Sequence, residues 1–145
     1  MILELIALLC TGLFAGAAVY VTLVEHPARL ECGPVVALAE FRPSYRRAAA
    51  IQATLAAIGS LTAVAAWALG RGAPVLVAGL LLGAMIPFTL LVVLPTNKRL
   101  LDPALDPHAT EAASLLAWWG RLHAVRSVAS AVAFMLLALD LARVL

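Results

Sequence analysis

Charge is scarce in this chain. Of its 145 residues only 12% are Asp, Glu, Lys or Arg, about half the share of a water-soluble domain. That scarcity excludes a surface facing water on all sides, and the apolar surplus (64% of residues, mean hydropathy +1.03) must face lipid. A formal net charge of +2 provides no basic stripe, so no nucleic acid is expected as a partner. Cysteine is nearly absent. Cys10 lies in an apolar run and Cys32 in a polar segment, with no CxxC between them, so neither a metal knuckle nor a redox pair is supported and two reduced thiols are expected. There is no GxSxG, no phosphate-cradling glycine loop and no Ser/His/Asp arrangement.

Long apolar runs are what the chain does have. Ile2–Val24, Ala48–Leu69, Pro74–Leu94 and Ala124–Leu145 each approach or exceed the ~20 residues a helix needs to cross about 30 Å of hydrocarbon. None alternates apolar with polar residues as a barrel strand does. The expected fold is all-α: an integral membrane four-helix bundle made of two helical hairpins. It forms a single transmembrane domain over 1–145, with spans at about 2–24, 48–69, 74–94 and 120–143. Ala15-Gly16-Ala17 resembles a signal-peptide cleavage site, but Glu4 has the wrong sign for the leading segment, so the first run is read as a membrane helix.

The connections are unequal. Glu25–Arg47 and Pro95–His123 are long and charged, whereas Arg71–Ala73 is a tight turn flanked by Gly70 and Pro74. Arg29, Arg42, Arg46, Arg47, Lys98, Arg99, Arg121 and Arg126 belong to one face, and Arg71 and Arg143 to the other. The positive-inside rule puts the long connections in the cytoplasm and both termini on the non-cytoplasmic side, with a bacterial inner membrane as the expected location. Thr110 is placed to cap a helix that runs unbroken into the fourth span, carrying Trp118 and Trp119 at the interface. Gly12/Gly16 and Gly79/Gly83 have small-xxx-small spacing for close helix packing, and Pro87 is a potential kink. Asp140 and Arg143 read as a local pair. A short echo relates His26-Pro27-Ala28-Arg29-Leu30 to Thr96-Asn97-Lys98-Arg99-Leu100.

Polar groups converge where the spans meet the charged connections. Glu25, His26, Arg42, Tyr45, Asn97, Trp119, His123, Arg126 and Ser130 all fall there, the last four at spacings that share one helical face. Such a bundle mouth suits a lipophilic small molecule. His123, Arg126, His26 and Asn97 are the catalytic candidates; Tyr45, Trp119, Arg42 and Ser130 are the substrate-binding candidates. Each has a plainer reading. Arg46, Arg47, Lys98 and Arg99 serve as headgroup anchors, and Arg126 either snorkels or pairs with Glu25 or Glu40. His26 before Pro27 also reads as a helix end, Tyr45 as an interface anchor, and His108 as a solvated turn residue. His26, His123 and Glu25 are weak metal candidates without ExxH spacing, and a heme between the two histidines has no distinct signal.

Gly12–Tyr20 followed by Glu25-His26-Pro27, then Phe41-Arg42-Pro43-Ser44-Tyr45, Pro95-Thr96-Asn97-Lys98-Arg99-Leu100-Leu101 and Trp119-Gly120-Arg121-Leu122-His123-Ala124-Val125-Arg126, resembles the anthrone oxygenase-like family of small four-helix membrane proteins. Its most specific parts are the Thr-Asn pair after the third span and the Trp-xxx-His-xx-Arg run. The resemblance implies a cofactor-independent monooxygenase that oxidises an anthrone-type or phenolic substrate with dioxygen. His123 or His26 would then be the base, Arg126 and Asn97 would stabilise an oxyanion, and Tyr45 and Trp119 would stack on a flat substrate. The alternatives are a non-catalytic small-molecule or lipid-binding or assembly protein, and a metal- or heme-binding redox protein. The bilayer is the expected partner, and a homo-oligomer would enlarge any pathway.

Overall fold

In the computed structural model, which describes residues 1–143, four helices run α1 (Ile2–Glu31), α2 (Gly33–Ala68), α3 (Ala73–Leu101) and α4 (Thr110–Ala142). All four are long and apolar enough to cross a membrane, and the described residues contain no strand. The chain is an integral membrane protein with the expected four-helix bundle. At 1.5 Å per residue these helices are roughly 43–54 Å long, so they outreach the hydrocarbon. The last two residues of the fourth apolar run, 144–145, lie outside the described residues.

The long first connection is helix almost throughout. α1 continues past Val24 to Glu31, only Cys32 separates it from α2, and α2 passes through Pro43 unbroken. Tertiary packing explains the difference from a polar loop. Ala37, Leu38 and Phe41 bury against Val93, Leu100, Leu116, Trp119 and Leu122, giving the projecting helix ends a core of their own. Gly33 (φ +82°) and Gly70 (φ +99°) reverse the chain in a region closed to side chains with a Cβ. α4 runs unbroken as expected, but its N-cap is Ala109 and Thr110 is already helical, without a side-chain cap.

The helices pack in a ring, each against its two neighbours, while α2 and α4 meet across the diagonal through long side chains at the charged end. Gly79 and Gly83 do form a close approach. A Cβ on Gly79 would sit 2.9 Å from Ala63 Cβ, and one on Gly83 would sit 2.5 Å from Ser60 Oγ. Ser60 also donates to the Gly79 carbonyl (2.8 Å), fastening α2 to α3. In the other pair only Gly12 is tight, against Phe134; Gly16 faces open space.

α1 and α3 share a local device. Each contains one π-helical stretch, Val21–Glu25 and Thr89–Val93, and each stretch ends two residues before a proline, Pro27 and Pro95. A proline ring clashes with the carbonyl four residues earlier, here Leu23 and Leu91 at the centre of each stretch, and a wider turn relieves that clash. The internal echo is therefore structural, but in a register set by the prolines. Arg29 and Asn97, each two residues after its proline, occupy matching places.

At the end bearing the short turn, Glu4 is fully buried and pairs with Arg71. Asp140 and Arg143 share a backbone bond (Arg143 N to Asp140 O, 3.2 Å), with no side-chain pair among the described residues. Removing one member of a buried ion pair strands the other, at a cost of about 3–5 kcal/mol, whereas replacing both with apolar groups is close to neutral. Arg71→Ala should accordingly lower unfolding stability in detergent by about that amount. The double variant Glu4→Leu/Arg71→Leu should recover most of the loss.

Candidate functional site

Near the charged end, the ring of helices encloses a cleft with about 780 Å³ of atom-free space, part of it in an open mouth. Its walls come from all four helices: Phe14 and Glu25 of α1, Tyr45 and Gln52 of α2, Met85 and Thr89 of α3, and Trp119, His123 and Arg126 of α4. Ala53 and Leu90 also line it and are exposed on the bundle exterior, so the cleft communicates with the surroundings between α2 and α3.

One wall is a fixed aromatic assembly. Trp119 stacks on His123 (centroids 4.7 Å apart, planes at 27°) and meets Phe41 edge-on at 5.1 Å. Phe41 stacks with Tyr45 at 5.7 Å. The Trp119 indole donates to Asn97 Oδ1 (2.9 Å), and Asn97 Nδ2 donates to the Tyr45 hydroxyl (3.0 Å). A fully buried asparagine thus ties α2, α3 and α4 together and orients both rings. Trp119 is accordingly buried, and Trp118 is the half-exposed indole on the outside of the bundle.

The charged groups divide into satisfied and unsatisfied ones. Arg29, with its side chain 4% exposed, pairs with both Glu25 and Glu40 and lies over the rings of Phe41 (5.6 Å) and Trp119 (5.8 Å). Ser44 adds a bond to Glu25 (3.2 Å). Arg29 therefore takes both carboxylates considered as partners for Arg126. Arg126 instead donates to Gln52 Oε1 (2.6 Å) and lies 5.3 Å from the Phe14 ring centre. Among the described residues no carboxylate reaches it. A guanidinium without a counter-ion on the wall of an apolar cleft attracts an anion strongly.

His123 is held from behind. Thr22 Oγ1 lies 3.1 Å from His123 Nδ1 and 2.7 Å from Ser127 Oγ, and Ser127 donates to the Ala18 carbonyl at 2.8 Å. The other ring nitrogen, Nε2, has no protein hydrogen bond among the described residues.

Of the eight candidate site residues, Tyr45, Trp119, His123 and Arg126 line the cleft, and His26, Asn97, Arg42 and Ser130 do not. Arg42 bonds the carbonyls of Leu100 (3.3 Å) and Asp102 (2.9 Å), closing the C-terminal end of α3. Ser130 donates to the Arg126 carbonyl (2.7 Å) within its own helix. His26 is buried behind Trp119, with ring centroids 5.1 Å apart. Lys98 near the end of α3, and Arg46, Arg47 and Arg121 within α2 and α4, are exposed, and so is His108 in its turn. Arg99 pairs with Glu111 and lies 3.6 Å from Asp102. Glu25, His26 and His123 do not converge: no group of three or more potential metal ligands forms among the described residues. Arg29, Gln52, Thr22 and Ser127 were not singled out from sequence. For Arg29, Thr22 and Ser127 the sequence signal is i, i+4 spacing to Glu25, His26 and His123, whereas Gln52 has no such neighbour.

Gly120 makes room for His26. A Cβ there would lie 2.6 Å from His26 Nε2 and 2.7 Å from Cδ2. Overpacking of this kind costs roughly 1–3 kcal/mol. Gly120→Ala should therefore lower the midpoint of thermal unfolding and loosen Trp119, read as a shift in tryptophan fluorescence.

The family model described as anthrone oxygenase matches residues 41–136, which include Tyr45, Gln52, Trp119, His123 and Arg126. An anthrone oxygenase of Aspergillus fumigatus is 42% identical over 62 residues, covering 41% of this chain and 38% of that protein. The match thus spans little more than a third of the curated relative. No solved structure matches the chain. With a family match over about two thirds of its length, the chain belongs to the anthrone oxygenase family.

Proposed function

We propose that the protein oxidises the methylene carbon of a lipophilic, anthrone-type aromatic to a ketone, with dioxygen as oxidant. The observation that carries this reading is the pairing, on one aromatic wall, of a histidine with a guanidinium that has no carboxylate partner. The balance is simple. The methylene gives up two hydrogens, one oxygen atom becomes the new carbonyl oxygen, and the other leaves in water.

A flat substrate lies against Trp119 and Tyr45, reaching the cleft from the bilayer between α2 and α3. His123 takes one methylene proton as general base. The resulting anion carries much of its charge on the oxygen of the ketone opposite that carbon, which Arg126 pairs with. The anion passes one electron to dioxygen, and the two radicals join to form a carbon–oxygen bond. The peroxide so formed takes the proton back from His123. Loss of the second C–H proton with cleavage of the O–O bond releases hydroxide, which leaves as water. Phe14, Met85 and Ile86 keep bulk water from the anion. We assign this chemistry to the cytoplasmic side, a reading supported by the positive-inside rule applied to the cations beside the cleft.

Purified protein in lipid nanodiscs, given anthrone, should consume one dioxygen per anthraquinone formed, above the spontaneous rate in empty discs. Uptake no faster than in empty discs would remove the proposal. Saturable binding of the substrate with that same uptake would mark a non-catalytic binding protein.

A further inference from the structure

Thr22 and Ser127 stand behind His123, outside the cleft lining, and the reaction above makes no use of them. Counting their protons has a consequence. A backbone carbonyl only accepts, so the 2.8 Å approach of Ser127 Oγ to Ala18 O requires the Ser127 hydroxyl proton between them. Ser127 Oγ can then only accept from Thr22 Oγ1, 2.7 Å away, so the Thr22 proton points at Ser127. Thr22 in turn can only accept from His123 Nδ1, at 3.1 Å. The opposite polarity would leave two oxygens 2.8 Å apart with no hydrogen between them. Thr22 reaches both partners from within the π-helical stretch Val21–Glu25, where widened turns often serve function.

We propose that Thr22, backed by Ser127, is a positioning residue that holds His123 as the Nδ1–H tautomer, leaving the Nε2 lone pair as the proton acceptor in the cleft. The hydrogen bond made by one ring nitrogen of a histidine fixes the state of the other. The Nε2 role rests on the reading of His123 as the base, whereas the tautomer itself does not. The Ala18 carbonyl also accepts from the Val21 backbone N–H, so the chain is anchored on the α1 backbone and needs no charged group.

The test is ¹⁵N NMR of histidine-labelled protein in nanodiscs. The chain has only three histidines, and His123 is assigned by the signal lost in His123→Gln. Wild type should show a protonated Nδ1 and an unprotonated Nε2. Thr22→Val, which keeps the shape and removes the acceptor, should abolish that signature, and Thr22→Ser should retain it. In anthrone oxidation Thr22→Val should lower kcat roughly 10- to 100-fold with KM little changed, as loss of a histidine-orienting group does elsewhere, and Thr22→Ser should restore it. A wild-type ring protonated on Nε2, or an Nδ1–H signature that survives Thr22→Val, overturns the assignment whatever the activity. A signature that follows Thr22 in a protein that oxidises no anthrone upholds the tautomer and overturns only the base role.

Discussion

Replacing His123 with alanine is expected to lower anthrone oxidation by about 10²- to 10⁴-fold, the usual contribution of a general base. The loss should fall on kcat, because substrate contact rests mainly on Trp119, Tyr45 and the apolar lining. His123 also stacks on Trp119 at 4.7 Å, so a structural effect has to be separated from a chemical one. His123→Gln keeps most of the volume and should be nearly as inactive. The alanine variant leaves space in the cleft, and added imidazole should restore part of its rate while leaving the glutamine variant unchanged. Full activity in either variant would remove His123 from the reaction.

Arg126→Gln should lower kcat about 10²- to 10³-fold, since one donor to a developing oxyanion is commonly worth that much. Its effect on stability should have the opposite sign. Arg126 has no counter-ion among the described residues, and its Nε is buried without a partner. Holding such a charge costs folding free energy, so a neutral side chain should leave the unfolding midpoint unchanged or raise it. A residue that stabilises the bundle but serves no reaction would show the reverse, with activity and midpoint falling together. Joint measurement of kcat and detergent unfolding on one preparation distinguishes the two. Arg29→Gln is the control. Its guanidinium is the counter-ion of both Glu25 and Glu40, so its loss should strand two carboxylates and destabilise.

The membrane bundle was legible because it rests on composition and run length, which lipid constrains tightly. The clustering of candidate residues at one end followed from the same spans. What the sequence concealed depends on contacts between distant segments. Pro43 and the charges around it argue for a loop, yet burial of Ala37, Leu38 and Phe41 against α3 and α4 carries the helix through. Trp119 and Trp118 are adjacent, and hydropathy cannot tell which turns inward; the bond to Asn97 selects Trp119. Arg29 reads as one of eight cations on a face, and only the fold shows that it absorbs both nearby carboxylates and leaves Arg126 without one. Glu4, at the edge of an apolar run, gives no hint of its pairing with Arg71 across the hairpin turn. Hydroxyl groups such as Thr22 and Ser127 are common in membrane helices, so the i, i+4 spacing of Ser127 to His123 does not by itself mark a contact between them.

In the proposed reaction the substrate occupies the cleft between Trp119, His123 and Arg126. Photolabelling tests it most directly, using an anthraquinone that carries a diazirine and the protein in nanodiscs, with adducts mapped by mass spectrometry. Adducts should concentrate on Ala49, Ala53, Ile86 and Leu90, and excess anthrone should suppress them. Labelling centred on the Glu4–Arg71 end, or labelling of the cleft that anthrone fails to displace, would contradict the account.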